Sequence, residues 1–166
     1  MLLYTCGCSF TYGEELCYPH IDSWPNILGR MLNLNNINTA KTGASQCYIF
    51  RKTINDIYKH KTKKLFVIIG WTGINRIEGY DNRCVSLLHN TNNIFQYVNN
   101  PSDLEFFYKN SLHYFLNKYN IKHIFFDVFL KKYKTFDYHI TEYNMYQYSI
   151  LKKCNRVQST SIRGRT

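Results

Sequence analysis

Residues 65–73 read Leu65-Phe66-Val67-Ile68-Ile69-Gly70-Trp71-Thr72-Gly73, an unbroken apolar run followed at once by a glycine-bearing loop. An apolar run of this length without polar alternation is typical of a strand buried on both faces of a parallel sheet. We therefore predict that residues 65–69 form the central strand of such a sheet. The loop that follows is then expected at the edge where the parallel strands end.

The same order of strand and glycine loop occurs twice earlier in the chain. The apolar opening Leu2-Leu3-Tyr4 runs into Gly7-Cys8-Ser9-Phe10-Thr11-Tyr12-Gly13, and a weaker strand pattern at 35–39 runs into Lys41-Thr42-Gly43-Ala44-Ser45. Glycine permits the positive φ angles that let a chain turn sharply at the end of a strand. Open α/β folds bind ligands at the edge where strands end, so the three loops predict one shared site.

Helical patterns separate these strand patterns. Helices are predicted at 23–32 and 45–60, where Ser23 and Ser45 are candidate N-caps, and at 102–116. A fourth strand at 121–129, a polar loop at 131–139 and a last helix at 141–153 follow. Residues 79–100 predict a long excursion with a short helix around Val85 to Leu88. Alternating strands and helices imply parallel strands joined by right-handed crossovers. The prediction is a three-layer, flavodoxin-like α/β sandwich with a parallel sheet of four to five strands.

Length and hydropathy indicate a single domain in the cytoplasm. The 166 residues suffice for one core, which we expect to span 1–154, and the polar stretch 155–166 predicts a basic, disordered tail. No apolar run approaches the roughly 20 residues that span a bilayer. The start has no cationic leader, so no signal peptide is expected. The expected location is the cytoplasm of a bacterium or of a phage-infected host cell.

The chain is strongly basic, with 21 lysines and arginines against 11 acidic residues and a formal charge of +10. Such a charge is compatible with a nucleic acid or another anionic partner. The densest cluster, Lys59-His60-Lys61-Thr62-Lys63-Lys64, lies between a helical and a strand pattern, where a solvated connection is the simpler interpretation. Net charge is therefore the sole support for nucleic acid at this level.

The cysteine pattern argues against a metal centre. None of the six cysteines has a partner at the two-residue spacing of a zinc knuckle or a redox site. We predict free thiols, no metal and no cofactor.

Ser9 is the candidate nucleophile, because glycines on both sides would leave its hydroxyl exposed at the end of a strand. The alternative is a plain polar turn, since glycine and serine are common turn residues.

The three loops together resemble the SGNH (GDSL-like) hydrolase family. Gly7-Cys8-Ser9 matches its Gly-Asp-Ser block except that cysteine replaces aspartate, so the resemblance makes Ser9 the nucleophile. Gly43 matches the glycine whose amide faces the oxyanion. Gly73-Ile74-Asn75-Arg76 matches the Gly-x-Asn-Asp block with arginine in place of its aspartate, which makes Asn75 an oxyanion donor. The implied oxyanion hole is Ser9, Gly43 and Asn75.

The chain is also similar to phage and bacterial SGNH-like proteins that begin Gly-Cys-Ser-Phe-Thr-x-Gly. Those proteins share a following Trp-Pro helix, which Trp24-Pro25 matches, and an Ile-Gly-Trp-Thr segment, which residues 69–72 match. The resemblance covers residues 1 to about 130.

The fourth family block, Asp-x-x-His before the last helix, supplies the general base and the carboxylate that orients it. The nearest match is Asp137-Tyr138-His139, which is one residue too short. His139 is therefore the candidate base and Asp137 its orienting carboxylate, against the alternative of an exposed loop histidine beside an incidental acid. His20, with Asp22, follows Ser9 in the chain and is a further histidine that could approach the site.

Two functions follow from these observations. The resemblance implies a serine ester hydrolase that works through an acyl-serine intermediate on a small acyl ester or an acylated carbohydrate or lipid, and that is weak because the fourth block is incomplete. The alternative is a non-catalytic SGNH-like binding or structural protein, of viral origin, that contacts an anionic partner.

Overall fold

The computed structural model describes residues 1–60, 63–74, 76–78, 84–86, 101–128 and 139–140. In chain order the elements are β1 (Leu2–Gly7), α1 (Ser9–Tyr12), α2 (Pro19–Asp22), α3 (Trp24–Met31), β2 (Asn35–Asn38), α4 (Gln46–Lys59), β3 (Leu65–Trp71), β4 (Arg76–Glu78), β5 (Cys84–Ser86), α5 (Pro101–Lys118), β6 (Lys122–Asp127) and β7 (His139–Ile140). Five strands form one sheet in the order β2-β1-β3-β6-β7, and every neighbouring pair is parallel.

Strand β3 lies at the centre of the sheet, as its apolar run predicts. It pairs with β1 on one side and β6 on the other, and the register sets Gly70 beside Gly7 and Phe126. Val67, Ile69 and Trp71 are fully buried. A strand with neighbours on both sides and helices on both faces requires this apolar composition.

Helices cover both faces of the sheet. On one face, α4 and α5 pack together, and the Tyr4 hydroxyl of β1 donates a hydrogen bond to Asp56 of α4. On the other face, the Trp24 ring of α3 meets the Phe126 ring of β6 edge-on, with 5.5 Å between centroids. The predicted three-layer α/β sandwich is therefore confirmed.

The two predicted serine caps behave differently. Ser45 caps α4, because its hydroxyl accepts a hydrogen bond from the Tyr48 amide at 3.0 Å. Ser23 stands at the cap position of α3 but makes no such bond, and its hydroxyl accepts from the Asn26 side chain at 2.8 Å instead. Pro25 in the first turn of α3 removes one of the amides that a cap would serve.

Two segments differ from the sequence-based expectation. A short helix was expected around Val85 to Leu88, but Cys84–Ser86 forms β5, which pairs antiparallel with β4. Residues up to His139 were expected in a polar loop, but His139 begins β7 and pairs with Phe125. Strand pairing uses backbone groups, so these two short strands carry no hydrophobic pattern that sequence could show. The predicted helix at 141–153 and tail at 155–166 lie outside the described residues.

No helix within the described ranges has the length and apolar character needed to cross a membrane. Cys6, Cys8, Cys17 and Cys47 are free thiols, as predicted for these four.

Candidate active site

Ser9 lies where β1 gives way to α1, at the edge of the sheet where the parallel strands end, which we call the carboxyl edge. It is the first residue of α1 and is half-buried. The helix ends after one turn at Gly13, which has a φ of 87° and donates its amide hydrogen to the Ser9 carbonyl at 2.8 Å. The first amides of a helix have no carbonyl partner within the helix, so the helix makes no use of the Ser9 amide.

Close packing of Thr11 against two strands explains the glycine that precedes the serine. Thr11 is fully buried, and a Cβ atom at Gly7 would overlap its hydroxyl. A Cβ atom at Gly70 would lie 2.7 Å from the same oxygen. The turn of α1 therefore rests directly on the backbones of β1 and β3, and side chains at these glycines would push Ser9 away from the sheet.

The second glycine loop is hydrogen-bonded to the first. The Lys41 amide donates to the Gly7 carbonyl at 3.1 Å, and the Asn38 side chain donates to the Thr11 carbonyl at 3.0 Å. Gly43 itself has a φ of 70°, and a Cβ atom built on it would meet no atom within 4 Å. Gly43 thus needs glycine for its left-handed backbone and faces open space beside the Ser9 loop.

The third loop is held to the second by a side chain. Gln46, at the start of α4, donates from its amide group to the Thr72 carbonyl at 2.8 Å. The structure therefore brings together the loops after β1, β2 and β3 at the carboxyl edge. Asn75, the expected oxyanion donor of the third loop, lies outside the described residues, while Arg76 after it begins β4.

Several buried polar atoms at this edge have no hydrogen-bond partner within the described part of the chain. They are the hydroxyls of Thr11 and Thr72 and the indole N–H of Trp71. Buried polar atoms ordinarily find a partner in protein or in water. Because all three atoms are buried, they are groups left unsatisfied by the described residues in the packing beneath the edge, and they are not presented to a substrate.

The predicted base stands farther along the same sheet. Strand register places Cys6, Ile69, Phe125 and His139 in one row across four strands. At the usual spacing between strands, three intervals separate the Cα atoms of Cys6 and His139 by about 14 Å. The backbone thus puts His139 on the last strand of the sheet and not in a loop beside Ser9. Asp137 lies outside the described residues.

The other candidate histidine, His20, is an exposed residue of α2. Its ring meets the Tyr18 ring edge-on, with 6.4 Å between centroids. Within the described ranges, no group of three or more histidine, cysteine, aspartate or glutamate side chains is arranged to hold a metal ion.

A buried polar layer lies under the site, between β1 and α4, and sequence analysis missed it. Tyr4 donates to Asp56 at 3.2 Å and accepts from the Thr39 hydroxyl at 2.8 Å, while Lys52 donates to Asp56 at 2.8 Å. Burial raises the pKa of Tyr4 and that of the Cys6 thiol. A thiol with a raised pKa is a poor nucleophile, so Cys6 is a structural residue and does not compete with Ser9.

An ion-paired cluster fixes α5 to the end of β6. Lys109 is 3% exposed, and its ammonium group lies 2.7 Å from Asp127 and 2.8 Å from Glu105. Glu105 and Lys109 are four residues apart on a helix, a spacing from which their ion pair could have been predicted. The contact with Asp127 depends on the packing of α5 on the sheet, which no local pattern shows.

Comparison with known proteins supports the fold. At the level of sequence, no protein-family model and no curated protein matches the chain. Among solved structures, the chain is similar to one from Desulfitobacterium hafniense DCB-2 described as a "putative lipolytic protein of G-D-S-L family", with a TM-score of 0.50 and 12% identity over 95% of this chain and 73% of that one. The chain therefore shares its fold with that structure, and the likeness at this identity concerns the fold alone.

Proposed function

We propose that this protein is a serine hydrolase that cleaves ester bonds by acyl transfer through Ser9. The observation that carries the proposal is the position of Ser9 in the first turn after β1, at the carboxyl edge. The loop that holds Ser9 is hydrogen-bonded there to the loop that holds Gly43. A fold shared with a G-D-S-L structure supports it. The proposed unit is the domain at 1–154, followed by a basic tail.

The proposed reaction needs no cofactor. The Ser9 hydroxyl attacks the acyl carbon, and its proton passes to a general base, a role that the family resemblance gives to His139. The amides of Ser9 and Gly43 with the Asn75 side chain are assigned to hold the oxyanion. The proton then goes to the departing alcohol, which leaves an acyl-serine. Water attacks this ester by the same path, and the acid is released. Asp137 is assigned to orient the imidazole.

The substrate class that the family resemblance implies is broad. We propose a small acyl ester or an acylated carbohydrate or lipid, and the word "lipolytic" in the description of the structural neighbour points the same way. A formal charge of +10 favours an anionic substrate. The proposed setting is the cytoplasm of a bacterium or of a phage-infected host.

Slow turnover is part of the proposal. A general base must come within about 3 Å of the proton that it removes, directly or through one water. His139 begins a strand that is three strand spacings away from β1. Asp137 precedes it by two residues, whereas the family block has three. In a serine triad, disabling the orienting carboxylate costs about 10⁴-fold in rate. We therefore expect hydrolysis of activated esters and little of unactivated ones.

The test is the rate of p-nitrophenyl acetate hydrolysis against pH for the parent, Ser9→Ala and His139→Ala, with His20→Ala as the matched histidine control. The proposal predicts a rise in rate through a pKa near neutrality that Ser9→Ala and His139→Ala abolish and His20→Ala keeps. Loss of the rise in His20→Ala alone would transfer the role of base to His20. Equal rates in the parent and Ser9→Ala would end the proposal.

A second candidate function is favoured by one observation, the position of His139 within a strand. If the acid–base pair is lost, the chain is a binding or structural protein of viral origin that keeps the fold and contacts an anionic partner. In that case all variants match the blank without enzyme.

A further inference from the structure

A groove of about 460 Å³ opens at the opposite end of the sheet, where β1, β3 and β6 begin. We call this end the amino edge. The floor of the groove is apolar and includes Ile57, Leu65, Phe115 and Ile121, of which Ile57 and Leu65 are buried. Its volume falls within the range of about 300–1,000 Å³ that is usual for ligand sites. Neither the fold nor the proposed hydrolysis assigns it a role.

Three lysines form the rim of the groove. Lys63 and Lys64 come from the connection before β3, and Lys122 is the first residue of β6, the neighbouring strand. All three are exposed, and within the described part of the chain no acidic residue lines the groove and none forms an ion pair with these lysines. Three like charges at one opening attract an anionic ligand. Lys63 and Lys64 of the basic cluster thus lie beside Lys122, which is 58 residues after Lys64 in the chain.

Aromatic rings stand beside the lysines. Tyr58 at the end of α4 is 55% exposed and Tyr119 after α5 is 47% exposed, and their ring centroids lie 6.4 Å apart. Tyr119 also packs on Phe115 at 5.0 Å between centroids. Partly exposed aromatic rings next to cations are features by which proteins bind single strands, because bases can stack on the rings while phosphates meet the lysines.

We propose that this groove binds single-stranded nucleic acid without sequence preference, with phosphates at Lys63, Lys64 and Lys122 and bases on Tyr58 and Tyr119. Lysine is a mobile point charge that suits a phosphate without fixing its geometry, which fits sequence-independent contact. An acidic peptide would use the lysines but has no need of two exposed rings. Duplex DNA keeps its bases stacked inside, so its bases would not reach the tyrosine rings.

The proposal is independent of the hydrolytic one, because the groove and Ser9 lie at opposite edges of the sheet. Loss of binding in a groove variant with unchanged hydrolysis, or the reverse, separates the two.

The experiment measures the fluorescence anisotropy of a labelled twelve-residue oligothymidine with the full chain at several salt concentrations. Lys63→Gln/Lys64→Gln is expected to weaken binding about tenfold at 0.15 M salt and to flatten the salt dependence, since each lost phosphate contact lowers the slope by about 0.7 on single strands. The matched control, Lys41→Gln/Arg51→Gln, removes two charges that do not line the groove, one in the loop after β2 and one in the first half of α4. It is expected to change affinity less than about twofold, because charges act over only about 8 Å at this salt.

A second variant tests the rings without changing charge. Tyr119→Leu is expected to weaken binding at least threefold while the salt slope stays that of the parent, because stacking releases no counterions. Equal loss in the groove and control lysine pairs would overturn the proposal, since binding would then follow net charge alone. Equal or tighter binding of a twelve-base-pair duplex, of vesicles containing phosphatidylserine or of a polyglutamate peptide would overturn it as well, and so would no binding by the parent.

Discussion

The two edges of the sheet are built in different ways. At the carboxyl edge, loops approach so closely that backbone atoms set the geometry, as Thr11 on Gly7 and Gly70 shows. At the amino edge, side chains from separate elements leave an open groove lined by lysines and tyrosines. Close backbone contact fixes the positions of groups, which catalysis requires, whereas a groove rimmed by long lysine side chains suits a ligand of variable shape. The expected consequences of substitution at the two edges differ accordingly.

The largest expected effect is a loss of turnover on substitution of Asn75. A second asparagine, Asn120, serves as the control that should lose stability instead. Asn75→Ala should lower the turnover of p-nitrophenyl acetate by about 10²- to 10³-fold with an unchanged unfolding midpoint, as expected for the loss of the proposed oxyanion donor. The matched control is Asn120→Ala at the amino edge, where Asn120 has a φ of 52°. That change should cost stability, by about 1 kcal/mol, and leave turnover unchanged. A fall in stability without a fall in turnover for Asn75→Ala would make Asn75 a turn residue.

The close packing at the carboxyl edge predicts the next effect. Gly70→Ala should destabilise the fold by about 1–3 kcal/mol, because its new methyl group meets the Thr11 hydroxyl. Part of that loss should return in the double variant with Thr11→Ala, since the two side chains are in contact. Urea unfolding midpoints measure both.

Gly43→Ala is the control for the comparison between Gly70→Ala and its double variant with Thr11→Ala. It should cost about 1–2 kcal/mol through its left-handed backbone alone, and Thr11→Ala should not relieve it, because the space around Gly43 is open. Relief of both glycine variants by Thr11→Ala would show that the contact at Gly70 is not specific.

The buried layer between the edges predicts a loss of stability in alkali. Burial raises the pKa of Tyr4 above its ordinary 10.0 and that of Cys6 above its ordinary 9.0. The unfolded chain therefore loses these protons first as pH rises, so the stabilisation is complete below about pH 9 and declines above it. Tyr4→Phe should cost about 1 kcal/mol at pH 7 through its lost hydrogen bonds and should flatten the decline above pH 10.

Tyr114→Phe is the matched control, because Tyr114 is 72% exposed. Urea unfolding between pH 7 and 11 should give Tyr114→Phe the profile of the parent. An unchanged alkaline decline in Tyr4→Phe would place its cause elsewhere.

The smallest effect concerns a histidine pair near the amino edge. His123 donates from Nδ1 to the Ile121 carbonyl at 2.8 Å, so its neutral Nε2 accepts from His113 Nδ1 at 2.7 Å, and His113 Nε2 in turn accepts from Asn117 at 2.9 Å. Burial, and to a smaller extent the electrostatic influence of the neighbouring His123 ring, lowers the pKa of His113. A neutral form favoured by the fold contributes stability above about pH 6.5, and this contribution is lost as pH falls.

His113→Gln should therefore make stability depend less on pH below 6.5, as measured by thermal unfolding between pH 5 and 7.5. The exposed His20→Gln should keep the slope of the parent. The same slope in all three proteins would show that His113 does not titrate with unfolding.

The two edges also differ in how far sequence analysis could predict them. The meeting of the three loops at the carboxyl edge was predictable, because in each of them a strand pattern ends and a glycine follows. Residues 65–69 fixed the central strand in the same local way. The amino edge was not predictable, since Lys122 joins Lys63 and Lys64 only when β3 and β6 pair. The buried contact between Lys109 and Asp127 was hidden for the same reason.

Within the candidate site, prediction was most successful where backbone geometry decides and least where a side chain must be placed at a distance. Ser9 and Gly43 lie on adjoining loops as the glycine pattern predicted. His139 begins a strand where a loop was expected, because a two-residue strand leaves no periodic pattern to detect. The roles of Asn75 and Asp137 stay predictions from the family resemblance.

Labelling of the full chain with a fluorophosphonate tests the central claim, that Ser9 is an activated nucleophile, most directly. The account predicts one covalent adduct per chain, found by mass spectrometry on the peptide that contains Ser9, and no adduct in Ser9→Ala. Because phosphonylation needs an activated serine and the oxyanion hole but no suitable ester, the result does not depend on knowing the substrate. A parent protein that stays unlabelled while a known serine esterase in the same tube reacts fully would contradict the account, as would an adduct that persists in Ser9→Ala.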